Sequence, residues 1–321
     1  MATEQQKERK AISRKRNILN FFLVGIIGIG TGLFLGSWYS YAFLSSGVDY
    51  SNLTQEALLD DIDDAFKKAT KVNKITNETK LNWVSIAKSK GVSPKNLSTY
   101  ENFALAEYNL ENSSSYTVYG EGAVDTVVKQ TIYSARHFDG TTYMAEKISK
   151  SSMITVADCF VMEKDAKLIN NIKGNNVTPT HADWTGTKTE ITTAECLDKM
   201  GGLPSKVVPY IISSKTVKES SEITETTVNG VKHYKFSIKL DPVSSVINYV
   251  KEVKTTGDLS DFPTFSDVTL TFVIDENWNF VEYSALENYR VVYAGLKPKC
   301  TGTLTLKFEI NGPVTLPEYR K

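Results

Sequence analysis

Three stretches in the last third of this chain alternate oily and wet side chains without a break: Tyr234, Phe236, Ile238 and Leu240; Val268, Leu270, Phe272 and Ile274; Leu304, Leu306, Phe308 and Ile310. A period of two puts each set on one face of a strand. One oily and one wet face per strand is the pattern of an antiparallel sheet covered on one side. Between the first two stretches, Asp241 is placed to cap and Pro242 to open a helix whose Val243, Val246, Ile247, Val250 and Val253 form an apolar stripe. That helix can cover the oily face. Phe262, Pro263 and Phe265 then lead back into the sheet, and Asp275-Glu276-Asn277 supply the next turn.

Upstream, residues 53–110 read as helices. Thr54 can cap a segment in which Leu59, Ile62 and Phe66 share a face, with Asp60, Asp61, Asp63 and Asp64 on the wet side. A second helix carries Trp83, Ile86 and Ala87 and stops at Gly91, and a third runs from Tyr100 to Leu110. Residues 116–173 turn to strand chemistry, with Asp139-Gly140 as a hairpin signal and Gly120-Glu121-Gly122 as a strand bend or bulge. Residues 174–194 are polar and aperiodic, which predicts a long loop. Pro204 then opens a predicted helix carrying Val207, Val208, Ile211 and Ile212.

The compartment is set by the other end. Residues 18–43 are almost uncharged and long enough to cross a bilayer core of about 30 Å as a helix. Lys7, Arg9, Lys10, Arg14, Lys15 and Arg16 precede the run and hold the N-terminus in the cytoplasm, so the rest lies outside it. The run is too long for a cleavable signal, so it reads as a permanent single-pass anchor at the cell membrane. Gly28, Gly32 and Gly36 recur on one face of it, either as a helix-contact surface or as ordinary membrane-helix composition. The expected organisation is a basic tail at 1–17, the anchor at 18–43, a helical part at 44–112 and a β-rich part with covering helices at 113–321.

Chemistry is sparse. The 37 Lys and Arg against 37 Asp and Glu give a formal charge of zero, so nothing argues for nucleic acid. His137, His181 and His233 form no metal-ligand spacing, and His181-Ala182-Asp183 has no nucleophile in an elbow to serve. Cys159, Cys196 and Cys300 match no zinc pattern; they read either as a Cys159–Cys196 disulfide with Cys300 free, or as three buried thiols. Asn52, Asn77, Asn96, Asn112 and Asn176 head N-x-S/T triplets. No catalytic set and no cofactor site assembles, so the chain reads as a non-enzyme.

The order of helices, meander, helix and meander resembles the LolA/LppX-like family of lipoprotein-carrier and lipid-binding envelope domains. The residues that carry this are the hairpin from Gln130-Thr131-Ile132-Tyr133 through Asp139-Gly140 to Thr141-Thr142-Tyr143, the Leu240-Asp241-Pro242 helix entry, and the strand from Val268 to its turn at Asp275. The resemblance implies an α+β fold: a curved antiparallel sheet of open half-barrel type, covered on one face by helices, that shelters an acyl chain. A retained anchor departs from the soluble or lipid-anchored members. Tyr234, Phe236, Ile238, Leu240, Val246, Val250, Leu270, Phe272, Leu306 and Phe308 are the expected apolar ligand face. The leading expectation is an extracytoplasmic binder or carrier of a lipid-like molecule. The alternative is an envelope assembly protein that works on a protein partner through an exposed patch and the glycine face of its membrane helix.

Overall fold

A computed structural model describes residues 50, 53–126, 128–152, 155–256, 259–292 and 297–321. The anchor at 18–43, with Gly28, Gly32 and Gly36, and the Asn52 triplet lie outside the described residues. Among the described residues no helix is long and apolar enough to cross a membrane.

Thr54 caps α1 (Gln55–Leu58), its hydroxyl accepting from the Ala57 N–H at 3.3 Å. The predicted helix through Phe66 is broken at Leu59, and Asp61 caps a new one, α2 (Ile62–Thr70), by accepting from the Asp63 N–H at 2.9 Å. Tertiary partners explain the break. Lys215 Nζ donates to the carbonyls of Ala57 and Leu59 at 3.0 and 2.9 Å, and the Ser214 hydroxyl donates to Asp60 at 2.7 Å. The next two helices form where local spacing predicts them: α3 (Asn77–Ser89), with Gly91 just beyond at φ 68°, and α4 (Thr99–Glu111), opened by a Ser98/Glu101 capping box.

The sheet has twelve strands: β1 (Tyr116–Asp125), β2 (Gln130–Phe138), β3 (Thr142–Ser151), β4 (Thr155–Glu163), β5 (Leu168–Lys173), β6 (Lys188–Thr192), β7 (Val217–Ser220), β8 (Thr224–Val228), β9 (Val231–Leu240), β10 (Thr264–Asp275), β11 (Phe280–Arg290) and β12 (Lys299–Ile310). Every pairing is antiparallel. The order is β6-β5-β4-β3-β2-β1-β12-β11-β10-β9-β7, with β8 also on β9. Two meanders thus meet where the first strand pairs with the last, and the curved sheet does not close. The β1–β12 register runs unbroken from Tyr116↔Ile310 to Asp125↔Thr301, so of the bend or bulge expected at Gly120-Glu121-Gly122 the bulge is absent. Glycine is needed there for close approach instead: a Cβ on Gly120 would lie 1.9 Å from the Thr305 carbonyl oxygen.

Two helices complete the fold, and both depart from the sequence reading. The polar stretch predicted as loop ends in β6 and α5 (Thr193–Met200), opened by a Thr192/Glu195 capping box and closed by Gly201 at φ 70°. The helix predicted from Pro204 does not form. Pro204 and Pro209 remove two backbone donors within six residues, and the segment finds partners elsewhere: the Ile211 N–H donates to the Ser245 carbonyl at 2.9 Å and the Thr216 hydroxyl to that of Ile211 at 2.8 Å. Val207, Val208, Tyr210, Ile211 and Ile212 are buried without a helix. After Leu240, Asp241 caps as expected, accepting from the N–H groups of Val243 and Ser244 at 3.0 and 2.8 Å. The chain then makes a 3₁₀ turn over Ser244–Val246 and a separate α6 (Tyr249–Thr256), where a single helix was expected.

The main core lies between α2–α4 and the inner face of β9–β12. Phe103 of α4 meets Phe272 at 5.2 Å and Phe280 at 5.9 Å between ring centroids, and Trp83 of α3 meets Trp278 at 4.9 Å. Buried Asn102 ties the layers, accepting from Trp278 Nε1 at 2.7 Å while donating to the Pro94 carbonyl at 2.8 Å. The outer face of β3–β5 is covered too. Met144, Ile148, Ala157, Cys159, Val161 and Ile172 lie under Ala182 and Trp184 of the loop at 174–187, with Leu316 and Tyr319 of the C-terminal tail alongside.

Candidate ligand-binding cavity

A cavity of about 330 Å³ opens on the inner face of β2–β4. The sheet supplies Arg136, Ala145, Lys147 and Phe160, which neighbouring registers bring to one side: Arg136 pairs with Ala145, and Ala145 with Phe160. Opposite stand Leu197 and Met200 of α5, the segment from Leu203 to Ile212, and Tyr249 and Glu252 of α6. Leu59, freed by the break between α1 and α2, reaches the rim. The irregular 201–212 segment is what leaves the space open. Gly201 permits its close passage, since a Cβ there would lie 2.1 Å from the Asn248 carbonyl oxygen.

The wall mixes oil with charge. Lys147 is ion-paired with Glu252, both side chains at most 14% exposed, and Lys206 is paired with Glu107 and lies 3.9 Å from Glu111. Burial, and then the neighbouring Glu107, push the Glu111 carboxyl above its ordinary range. Arg136 donates through Nη1 to the Ser134 hydroxyl at 3.4 Å; its Nε is buried and has no partner. Beyond Arg136 a recess of about 30 Å³ is bounded by Ser134, Lys147, Glu252, Tyr283 and Glu287. Glu287 is fully buried with both carboxylate oxygens unpartnered, and burial alone raises its pKa to about 8.

None of the ten residues expected to form the ligand face lines this cavity. Tyr234, Phe236, Ile238, Leu240, Val246, Val250, Leu270, Phe272, Leu306 and Phe308 are all buried in the main core. Helices α2–α4 fill the concavity above those strands. The space lies instead above β2–β4, where Glu146-Lys147 interrupts the apolar pattern and two prolines bracket Val207 and Val208; those were the available signals.

Cys159, Cys196 and Cys300 are all free, which corrects the Cys159–Cys196 bridge. The sheet stands between the two: Cys159 belongs to the outer cluster, and Cys196 packs on Met162 and Ile169 on the inner side. Burial raises all three thiol pKa values, to about 11 at Cys196 and Cys300. The histidines are not brought together. His137 lies 3.9 Å from Glu146 on the outer face, with its pKa lowered by burial, and exposed His181 lies 3.4 Å from Asp183. Asp275 forms a hairpin turn, accepting from the N–H groups of Asn277 and Asn279 at 2.8 and 2.9 Å. Among the described residues no group of three or more His, Cys, Asp or Glu could hold a metal ion.

No protein-family model matches the chain, and no curated protein matches it. Among solved structures the chain is similar to two mycobacterial proteins. Mycobacterium tuberculosis lipoprotein LppX matches at 11% identity and a TM-score of 0.33, over 67% of this chain and 96% of that one. LprF from Mycobacterium bovis matches at 16% identity and a TM-score of 0.28, over 66% and 96%. A porin-like protein from Bacteroides uniformis follows at 11% and 0.19, over 62% and 96%.

Proposed function

We propose that this protein is a non-enzymatic binder of a hydrophobic, lipid-like molecule, held outside the cytoplasm by a membrane anchor at residues 18–43. The observation that carries the reading is the cavity itself. Protein interiors are packed nearly without voids, so about 330 Å³ lined by Leu59, Phe160, Met200, Leu203, Ile211 and Ile212 is space kept for something else. It sits at the lower end of the range for small-molecule sites, roughly 300–1,000 Å³. That size suits a single-chain amphiphile. The apolar run supports the anchor by length and by its basic flank, and an anchored binder takes and delivers its ligand at the membrane surface.

Binding of the neutral probe 1-dodecanol to the full-length protein, followed by native mass spectrometry and calorimetry, tests this. Saturable one-to-one binding is expected, and Leu203→Trp, which fills the cavity from its wall, is expected to weaken it about tenfold or more with the unfolding midpoint little changed. A wild-type protein that takes up no probe, or a Leu203→Trp variant that binds as before, overturns the reading.

A further inference from the structure

Three cations stand in the cavity wall, and two of them are spoken for. Lys147 has Glu252 and Lys206 has Glu107. Arg136 has no carboxylate partner among the described residues; its side chain donates the 3.4 Å bond to Ser134, and its buried Nε has no partner. Nor does Glu287 serve it, since both carboxylate oxygens of that residue are without a hydrogen-bond partner. Arg136 is half-buried, and it is its Nε that is shut off from water without a partner; an unmet donor of this kind is costly, and the planar fork suits the two oxygens of a carboxylate or phosphate. Position adds to this. Arg136 lines both the apolar cavity and the polar recess, so an anion held there has oil on one side and, on the other, the Ser134 hydroxyl beside Glu252, whose charge Lys147 pairs, and the fully buried Glu287.

Building on the cavity reading above, we infer that the ligand is an acidic amphiphile whose anionic head is held by Arg136 while its chain lies along Phe160, Met200, Leu203 and Ile212. The head faces inward to the recess. The chain runs toward the rim at Leu59 and Leu197, the latter half-exposed.

Calorimetry with sodium dodecanoate and 1-dodecanol on the full-length protein separates this inference from the reading it rests on. Dodecanoate is expected to bind about tenfold or more tighter than the alcohol, and Arg136→Gln to abolish that advantage while leaving 1-dodecanol within about twofold. Arg136→Lys, which keeps the charge but not the fork, is expected to fall between, and acetate alone to displace nothing. Equal affinities for acid and alcohol in the wild type overturn the inference and leave the cavity reading standing. Equal loss of both ligands in Arg136→Gln also overturns it, since the arginine then merely supports the wall. Displacement by acetate makes the site one for a small free anion and overturns the amphiphile. If neither probe binds the wild type, the cavity reading itself fails.

Discussion

The two meanders that meet at the β1–β12 seam use the same sheet in opposite ways. From β9 to β12 the inner face is closed by the protein's own aromatic rings and the outer face is largely wet, carrying Thr271, Ser284, Thr303, Thr305 and half-exposed Leu286. From β2 to β5 the outer face is covered by Trp184 and the C-terminal tail, while the inner face holds the cavity and its charges. Covering the outside is what makes an open inside tolerable. Strands that lose apolar contacts above gain them below, so β3 and β4 stay buried around a void. Clean alternation therefore marks the half that holds the fold together, and interrupted alternation marks the half that keeps an open space.

One charge placed on the same side of the sheet in each half separates the two most strongly. Ile148→Lys puts an ammonium under the Trp184 cover and is expected to cost about 4 kcal/mol or more in urea unfolding, whereas Leu286→Lys stays within about 0.5 kcal/mol. Similar costs at the two sites would mean that the outer cover contributes nothing.

A smaller effect probes the exception in the β9–β12 half, Glu287. Its folded pKa of about 8 lies above the ordinary carboxyl value of 4.5. Below pH 4.5 both states are protonated and the group costs nothing. As pH rises toward 8 the unfolded chain releases a proton that the folded one must keep, so stability falls across that window. Glu287→Gln is expected to flatten the fall, raising stability by roughly 2–4 kcal/mol at pH 8 and by little at pH 4 in paired denaturation curves. Parallel curves for the two proteins would contradict the burial of an unpartnered carboxyl.

The smallest effect concerns α6, which joins the halves: Val250 and Val253 lie in the main core and Glu252 pairs with Lys147. Asp241 caps its approach, and although burial opposes ionisation, the Lys218 pair and the N–H groups of Ser244 and Val243 hold its pKa down at about 2. Because the folded value lies below the unfolded one, its contribution is present above pH 4 and lost as pH falls toward 2. Asp241→Ala is expected to cost about 1 kcal/mol at pH 7 and almost nothing at pH 2, read from thermal midpoints.

Much of the frame was legible in the chain. Asp139-Gly140 and Asp275-Glu276-Asn277 carry their own turn chemistry, and both turns form; Gly91 likewise marks a real helix end. The misreadings cluster around the cavity. Asp60 answers to Ser214, far along the chain, and Lys215 ends α1 where local spacing would continue it. The run from Val207 to Ile212 is apolar enough for a helix, but its backbone bonds go to Ser245 and Thr216. Trp184 sits in a polar stretch that gives no local sign of its burial.

Periodicity, caps and turn residues are properties of neighbours along the chain, so the sequence alone marked the alternating strands of the last third, the helices at Trp83 and at Tyr100 to Leu110, and the turns at Asp139-Gly140 and Asp275-Glu276-Asn277, while β6 and the helix after it stayed hidden in a polar stretch. It also determined that residues 18–43 are apolar and long enough for a bilayer. Whether an oily face is filled or left open depends on what lies across from it, and that is set by segments remote in sequence. Only the tertiary structure decided that α2–α4 close the face of β9–β12, that the loop at 174–187 covers the back of β3–β5, and that Arg136, Met200, Ile212 and Glu252 surround one space.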